Sequence, residues 1–180
     1  HHMYTYATDW TGGIYATATM TGSRAGGPVA ATWAAMCRFG EAGYVETTRQ
    51  IVGATKKIAE GIKSIEGIQV VGRADVCVVA FTTTKESGLN CYAVSDCMQQ
   101  HHGWELQTCQ NPPCVHLALT LVSARNADQF IADLQASADA VKADTTGSFA
   151  STAGMYGMAA ALPSTFIEDG AAAYIDAMFE

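Results

Sequence analysis

The segment from Glu41 to Ile65 constrains the fold most: Tyr44, Val45, Thr48, Ile51, Val52, Thr55, Ile58, Ala59 and Ile62 recur at helical spacing, with Glu46, Arg49, Lys56, Lys57, Glu60 and Lys63 mostly between them. A helix of that length with one apolar stripe has to lie on a second layer. The residues that follow supply it. Gly67 ends the helix, and the β-rich runs Ile68 to Val71 and Val76 to Phe81, separated by Gly72-Arg73-Ala74-Asp75, predict neighbouring antiparallel strands. After a polar loop, Asn90 is placed to cap a helix from Cys91 to about His102, which Gly103 stops. Trp104-Glu105-Leu106-Gln107 alternates as a strand does, Pro112-Pro113 turns or extends the backbone, and Val115, Leu117, Leu119 and Leu121 share one strand face. Asn126 is placed to cap a last helix of this unit, Ala127 to about Ala143, with Phe130, Ile131, Leu134, Ala138 and Val141 on its apolar face. Upstream, Pro28 suits the first turn of a helix through Phe39 that is apolar on nearly every face, so burial is expected for it. Short antiparallel strands with helices laid on one face predict a two-layer α+β fold.

The remaining composition narrows the functional classes. A formal charge of −7, with only ten Lys and Arg scattered along 180 residues, argues against sequence-independent nucleic-acid binding. No apolar run reaches the roughly 18 residues that span a bilayer, and no leader is evident, so the chain reads as soluble. His1-His2-Met3 reads as a tag remnant, so His1 and His2 are not candidate site residues. The six cysteines form no C-x-x-C, and Cys37 and Cys77 sit in apolar runs, which predicts free thiols and an intracellular, reducing setting. The segment from Asp144 to Glu180 is rich in Ala, Gly, Ser and Thr and ends in an apolar helix after Pro163. It suits packing on a partner as well as on its own domain.

Candidate chemistry centres on Thr11 to Gly27. Gly22, Gly26 and Gly27 permit close backbone approach, Ser23 offers a hydroxyl donor and Arg24 a fixed positive charge, so the segment is either an anion-binding loop or a tight turn feeding the next helix. Neither the G-x-x-x-x-G-K-[ST] loop nor a βαβ dinucleotide site is present. His101-His102 suits a helix C-terminus, where polar or cationic groups complement the dipole, better than a metal. His116 reads as a hydrogen-bonded structural histidine in mid-strand. Cys109 and Cys114, flanking Gln110-Asn111-Pro112-Pro113, lack the histidine pair of a zinc site, and no metal is expected. Tyr156 is either an aromatic plug or a phenol in a site.

Taken in order, Asp9-Trp10-x-Gly12-Gly13-Ile14-Tyr15-Ala16, Gly22-Ser23-Arg24-x-Gly26-Gly27, Trp33-Ala34, Gly40-Glu41-x-Gly43-Tyr44-Val45-Glu46, Gly103-Trp104, Pro112-Pro113-x-x-His116, Thr145-Thr146-Gly147 and Tyr156-Gly157-Met158-Ala159 resemble the C-terminal part of the sphingosine-1-phosphate lyase family. These are group II decarboxylase-like pyridoxal-phosphate enzymes of the aspartate-aminotransferase-like fold, type I. The resemblance implies a carbon–carbon (aldehyde) lyase that cleaves phosphorylated long-chain bases to a fatty aldehyde and phosphoethanolamine. It implies pyridoxal 5'-phosphate as cofactor and a homodimer, with Ser23 reaching the phosphate of the neighbouring subunit's cofactor and Gly22 and Ala16 the adjoining backbone positions. Tyr156 matches an active-site phenol near the substrate, making it the candidate catalytic residue of this chain.

The same resemblance places the Schiff-base lysine and the acid on the ring nitrogen upstream of Gly12-Gly13-Ile14-Tyr15. Lys56, Lys57, Lys63, Lys85 and Lys142 lie on polar helix faces or in a loop, without the burial that depresses a lysine pKa, so the chain alone is expected to be an inactive fragment. Residues 4–40 would be the end of the cofactor-domain segment with its interface loop, 41–143 the small C-terminal α+β domain, and 144–180 the tail and last helix. The resemblance also implies a parent on the cytosolic side, with membrane contact only through segments outside this chain, an endoplasmic-reticulum anchor being the eukaryotic pattern. The chain departs from the family at Ala25, where proline is usual, at Thr17-Ala18, where Ser-Pro is usual, and in a longer link, Thr108-Cys109-Gln110-Asn111, before the prolines. A related amino-acid decarboxylase and a non-catalytic dimerisation module are the rival readings.

Overall fold

The computed structural model describes residues 6–8, 15–17, 22–161 and 164–178. Gly12-Gly13-Ile14, Pro163 and Phe179 lie outside the described residues, as does the tag-like start. Two short strands, β1 (Tyr6–Thr8) and β2 (Tyr15–Thr17), pair antiparallel, with Ala7 opposite Ala16. Helix α1 (Gly26–Lys63) follows. Its two arms are separated at Gly40, whose φ of 58° and ψ of −177° leave the helical region on the positive-φ side that disfavours a Cβ.

The main sheet contains β3 (Ile68–Val71), β4 (Val78–Thr83), β5 (Gln107–Cys109) and β6 (Cys114–Ala118), in the order β3-β4-β6-β5 with every pair antiparallel. Alternation sends Val79, Phe81, Val115 and Leu117 to one face, where the second arm of α1, α2 (Cys91–His102) and α4 (Ala127–Ala143) cover them. Phe81 and Phe130 meet edge to face at 6.4 Å, with Trp104 perpendicular to Phe130 at 5.1 Å. Each fully buried side chain of this set contributes about 1.5–3 kcal/mol by leaving water. The two-layer α+β expectation therefore describes this unit.

Several boundaries differ from the sequence reading, for local reasons. The second strand begins at Val78 rather than Val76, because Val76 and Cys77 are exposed at the turn. Trp104 is not in a strand: its ring is drawn into the core and its indole N–H donates to Asp133 Oδ2 at 2.8 Å, so β5 starts only at Gln107. Leu121 opens a short helix, α3 (Leu121–Arg125), which ends the preceding strand at Ala118. Thr120 and Ser123 cap that helix reciprocally, and Asn126 closes it by donating its side-chain N–H to Val122 O at 3.2 Å instead of capping α4.

The apolar arm of α1 is the larger correction. Val29 is 63 % exposed, Trp33 69 % and Met36 58 %, so the expected burial does not occur against the described residues. Pattern alone identifies a face that needs cover, and the cover belongs to whatever packs there. The tail forms α5 (Ser151–Ala161) and α6 (Ser164–Ala177). Helix α5 packs on α2 and α6 on β1 and β2, so the described tail does pack within its own chain.

Candidate functional site

Helix α2 organises the part of the molecule around Tyr156. Asn90 Oδ1 accepts the Tyr92 backbone N–H at 2.9 Å, the N-cap expected from sequence, and this seats Cys91 and Tyr92 at the helix start. Tyr92 donates its hydroxyl to the Cys109 carbonyl at 2.6 Å, tying α2 to the end of β5. Its ring lies against that of Tyr156 with centroids 5.2 Å apart and planes 31° from parallel. One turn further along α2, the buried Asp96 accepts the Thr152 backbone N–H at 2.9 Å and so caps α5 from a distance. His101 meets Phe149 edge-on at 5.3 Å. Tyr156 is thus held, half-buried, on a helix that α2 positions.

The Tyr92 phenol and the Cys91 and Cys114 thiols are kept neutral. Burial, then the neighbouring thiols, raises the Tyr92 phenol well above its ordinary range. Burial also raises the Cys91 thiol, and together with Cys109 it pushes Cys114 up to about 11. At neutral pH this corner is a set of weak donors, suited to orienting a neighbour.

The other predicted residues lie elsewhere. Ala16 is the central residue of β2, in the ladder beside α6. Gly22 and Ser23 are exposed ahead of α1. Among the described residues, a Cβ built on Gly22 would meet nothing within 4 Å, so none of them demands glycine there by packing. All five lysines are exposed: Lys57 pairs with Asp128 at 2.6 Å and Lys63 with Glu60 at 2.6 Å. Tyr156, Ser23 and Ala16 therefore stand on different parts of the chain.

The histidines have local partners. His102 Nδ1 is 3.2 Å from the buried Asp133, which also accepts from Trp104 and Gln129. His101 Nδ1 lies 3.8 Å from Cys97 Sγ, and His116 Nδ1 3.3 Å from Cys109 Sγ. Among the described residues no group of three or more His, Cys, Asp or Glu could hold a metal ion. None of their helices is long and apolar enough to cross a membrane. Tyr92 and Asp96 were missed as positioning residues because their partners lie 17 and 56 positions away. The grouping of Cys109, Cys114 and His116 was readable, since residues 114 and 116 of one strand share a face.

Over 162 residues the chain is 38 % identical to the sphingosine-1-phosphate lyase of Oryza sativa subsp. japonica, a match covering 90 % of this chain and 29 % of the relative. This chain is homologous to the sphingosine-1-phosphate lyases. It spans about a third of the length of the curated lyases it matches. The solved sphingosine-1-phosphate lyase of Burkholderia pseudomallei superposes with a TM-score of 0.60 at 29 % identity, over 78 % of this chain and 32 % of that one. Lactobacillus brevis glutamate decarboxylase, at 16 % identity, superposes with a TM-score of 0.61 over 80 % of this chain and 35 % of its own, and shows the fold alone. Both neighbours have the type I fold that the motif resemblance implies, and the four-stranded antiparallel sheet with its helices is this chain's share of it. No protein-family model matches the chain.

Proposed function

We propose that this chain is the C-terminal part of a pyridoxal-phosphate-dependent carbon–carbon lyase acting on phosphorylated long-chain bases, with a fatty aldehyde and phosphoethanolamine as products. The observation that carries the reading is the combination of an open Gly22-Ser23 segment with five exposed lysines. Gly22 has no side chain, and none of the described residues occupies the place of one, which suits approach by something outside this chain. In the proposed homodimer that is the phosphate of the cofactor in the neighbouring subunit, with the Ser23 hydroxyl as donor and the Gly22 and Ala16 backbone alongside.

When bound, the cofactor supplies the electron sink for cleaving the carbon–carbon bond. This chain's own residues grip and orient. Tyr156, steadied by Tyr92 and by a helix that Asp96 caps, is the phenol assigned to the substrate side. No lysine here has the desolvated setting of a covalent cofactor attachment, so that lysine belongs to another segment of the parent and the chain alone is inactive. In a eukaryotic parent the endoplasmic-reticulum membrane, cytosolic side, is the setting this reading implies.

Borohydride reduction of the chain with pyridoxal phosphate, followed by peptide mapping, tests the division of labour. The expectation is no stoichiometric label on Lys56, Lys57, Lys63, Lys85 or Lys142; one full equivalent on any of them contradicts it. For the substrate, the full-length protein should release aldehyde from a phosphorylated sphingoid base and leave free amino acids intact. Carbon dioxide release from an amino acid at comparable rate would favour the decarboxylase instead.

A further inference from the structure

We propose that Cys109 and Cys114, with His116 beside them, form an oxidisable dithiol site that closes to a disulfide on reaction with hydrogen peroxide. The β5–β6 register sets Cys109 directly opposite Cys114 and Gln107 opposite His116, so both thiols and the imidazole rise from one face of the sheet. Directly opposed residues of antiparallel strands have Cα atoms about 4.5–5.5 Å apart, inside the range of about 4.4–6.8 Å that a disulfide spans. His116 Nδ1 lies 3.3 Å from Cys109 Sγ, and the Tyr92 hydroxyl fixes the Cys109 carbonyl at 2.6 Å.

Exposure divides the roles. Cys109 is half-buried and can be reached from solvent, whereas Cys114 is 6 % exposed. Burial keeps the Cys114 thiol protonated, so the first reaction falls to Cys109 with an imidazole at hand for its proton. The Cys109 sulfur attacks one peroxide oxygen: an S–O bond forms, the O–O bond breaks, and the proton taken by His116 passes to the departing hydroxide as water. Cys114 sulfur then attacks Cys109 sulfur, the S–S bond forms, the S–O bond breaks, and the hydroxyl leaves with the Cys114 proton as a second water. Two thiols are oxidised by two electrons in all, and the hydrogen peroxide is reduced by the same two.

The exposed Cys37 and Cys77 are internal controls, having access without an opposed thiol. The test treats the reduced protein with limiting hydrogen peroxide, alkylates the remaining thiols and maps the peptides. The expected product is a Cys109–Cys114 linked peptide, lighter than the reduced pair by two hydrogens, formed while Cys37 and Cys77 stay largely alkylatable. His116→Gln should slow loss of the Cys109 thiol by about tenfold or more without changing the far-ultraviolet spectrum. Cys114→Ser should leave a dimedone-reactive sulfenic acid on Cys109. Full alkylation of Cys109 and Cys114 after peroxide would overturn the proposal, as would a Cys109 rate equal to that of Cys37 and unchanged in His116→Gln. The mapping is read on the unsubstituted protein, so it stands even where a variant fails to fold.

Discussion

The Asp96 carboxylate accepts the Thr152 backbone N–H at 2.9 Å, so a buried acid in α2 serves as the N-cap of α5, fifty-six positions along the chain. The helix it caps carries Tyr156, and the Tyr92 ring supports Tyr156 from the same side. Asp96→Ala should therefore loosen α5 before it affects the sheet, at a cost near the ~1 kcal/mol of a lost cap. Hydrogen exchange is the direct readout: faster exchange across residues 151–156 with β4 and β6 unchanged. Equal protection of α5 in the variant would show that the cap does not hold it.

Ser137 makes the opposite prediction. Its side chain is fully buried within α4, and its hydroxyl finds no partner among the described residues. Ser137→Ala removes a desolvated polar group and adds helix propensity, so unfolding in urea should shift to higher denaturant by about 1 kcal/mol with an unchanged slope. A destabilised variant would mean that the hydroxyl is satisfied after all.

Cys114 gives the chain an alkaline limit. Its thiol titrates at about 11 in the folded protein against an ordinary 9.0, so the folded state is favoured fully below 9 and loses that advantage as pH rises through 11. Thermal midpoints taken from pH 8 to 11 should fall for the unsubstituted chain and fall less for Cys114→Ala. Parallel curves for the two would remove Cys114 as the source.

Local signals were readable in the sequence, and long-range ones were not. Asn90 caps α2 and Gly103 ends it because both effects act within a turn, and Gly40 breaks α1 for the same reason. Asn126 looked like a cap by residue type, yet the competing pair Thr120 and Ser123 lies just upstream and turns Asn126 into the end of α3. Trp104 satisfied strand alternation, but a buried indole needs a partner and Asp133 supplies it from α4. The exposed arm with Val29, Trp33 and Met36 shows the limit most clearly, since an apolar face states only that something covers it. At the site, the motifs singled out Ser23 and Tyr156, whereas Tyr92 and Asp96, which support Tyr156, become visible only once α2, β5 and α5 are assembled.

Ser23→Ala in the full-length protein tests most directly the proposal that Ser23 holds the cofactor phosphate across a dimer. Ser23 is exposed and outside the core, so the thermal midpoint of the apo-protein should not move. Pyridoxal phosphate should dissociate faster from the variant during dialysis by about tenfold, the effect of losing one hydrogen bond to a charged group, while Ser23→Thr retains it. Cofactor release from Ser23→Ala at the unsubstituted rate would contradict the account.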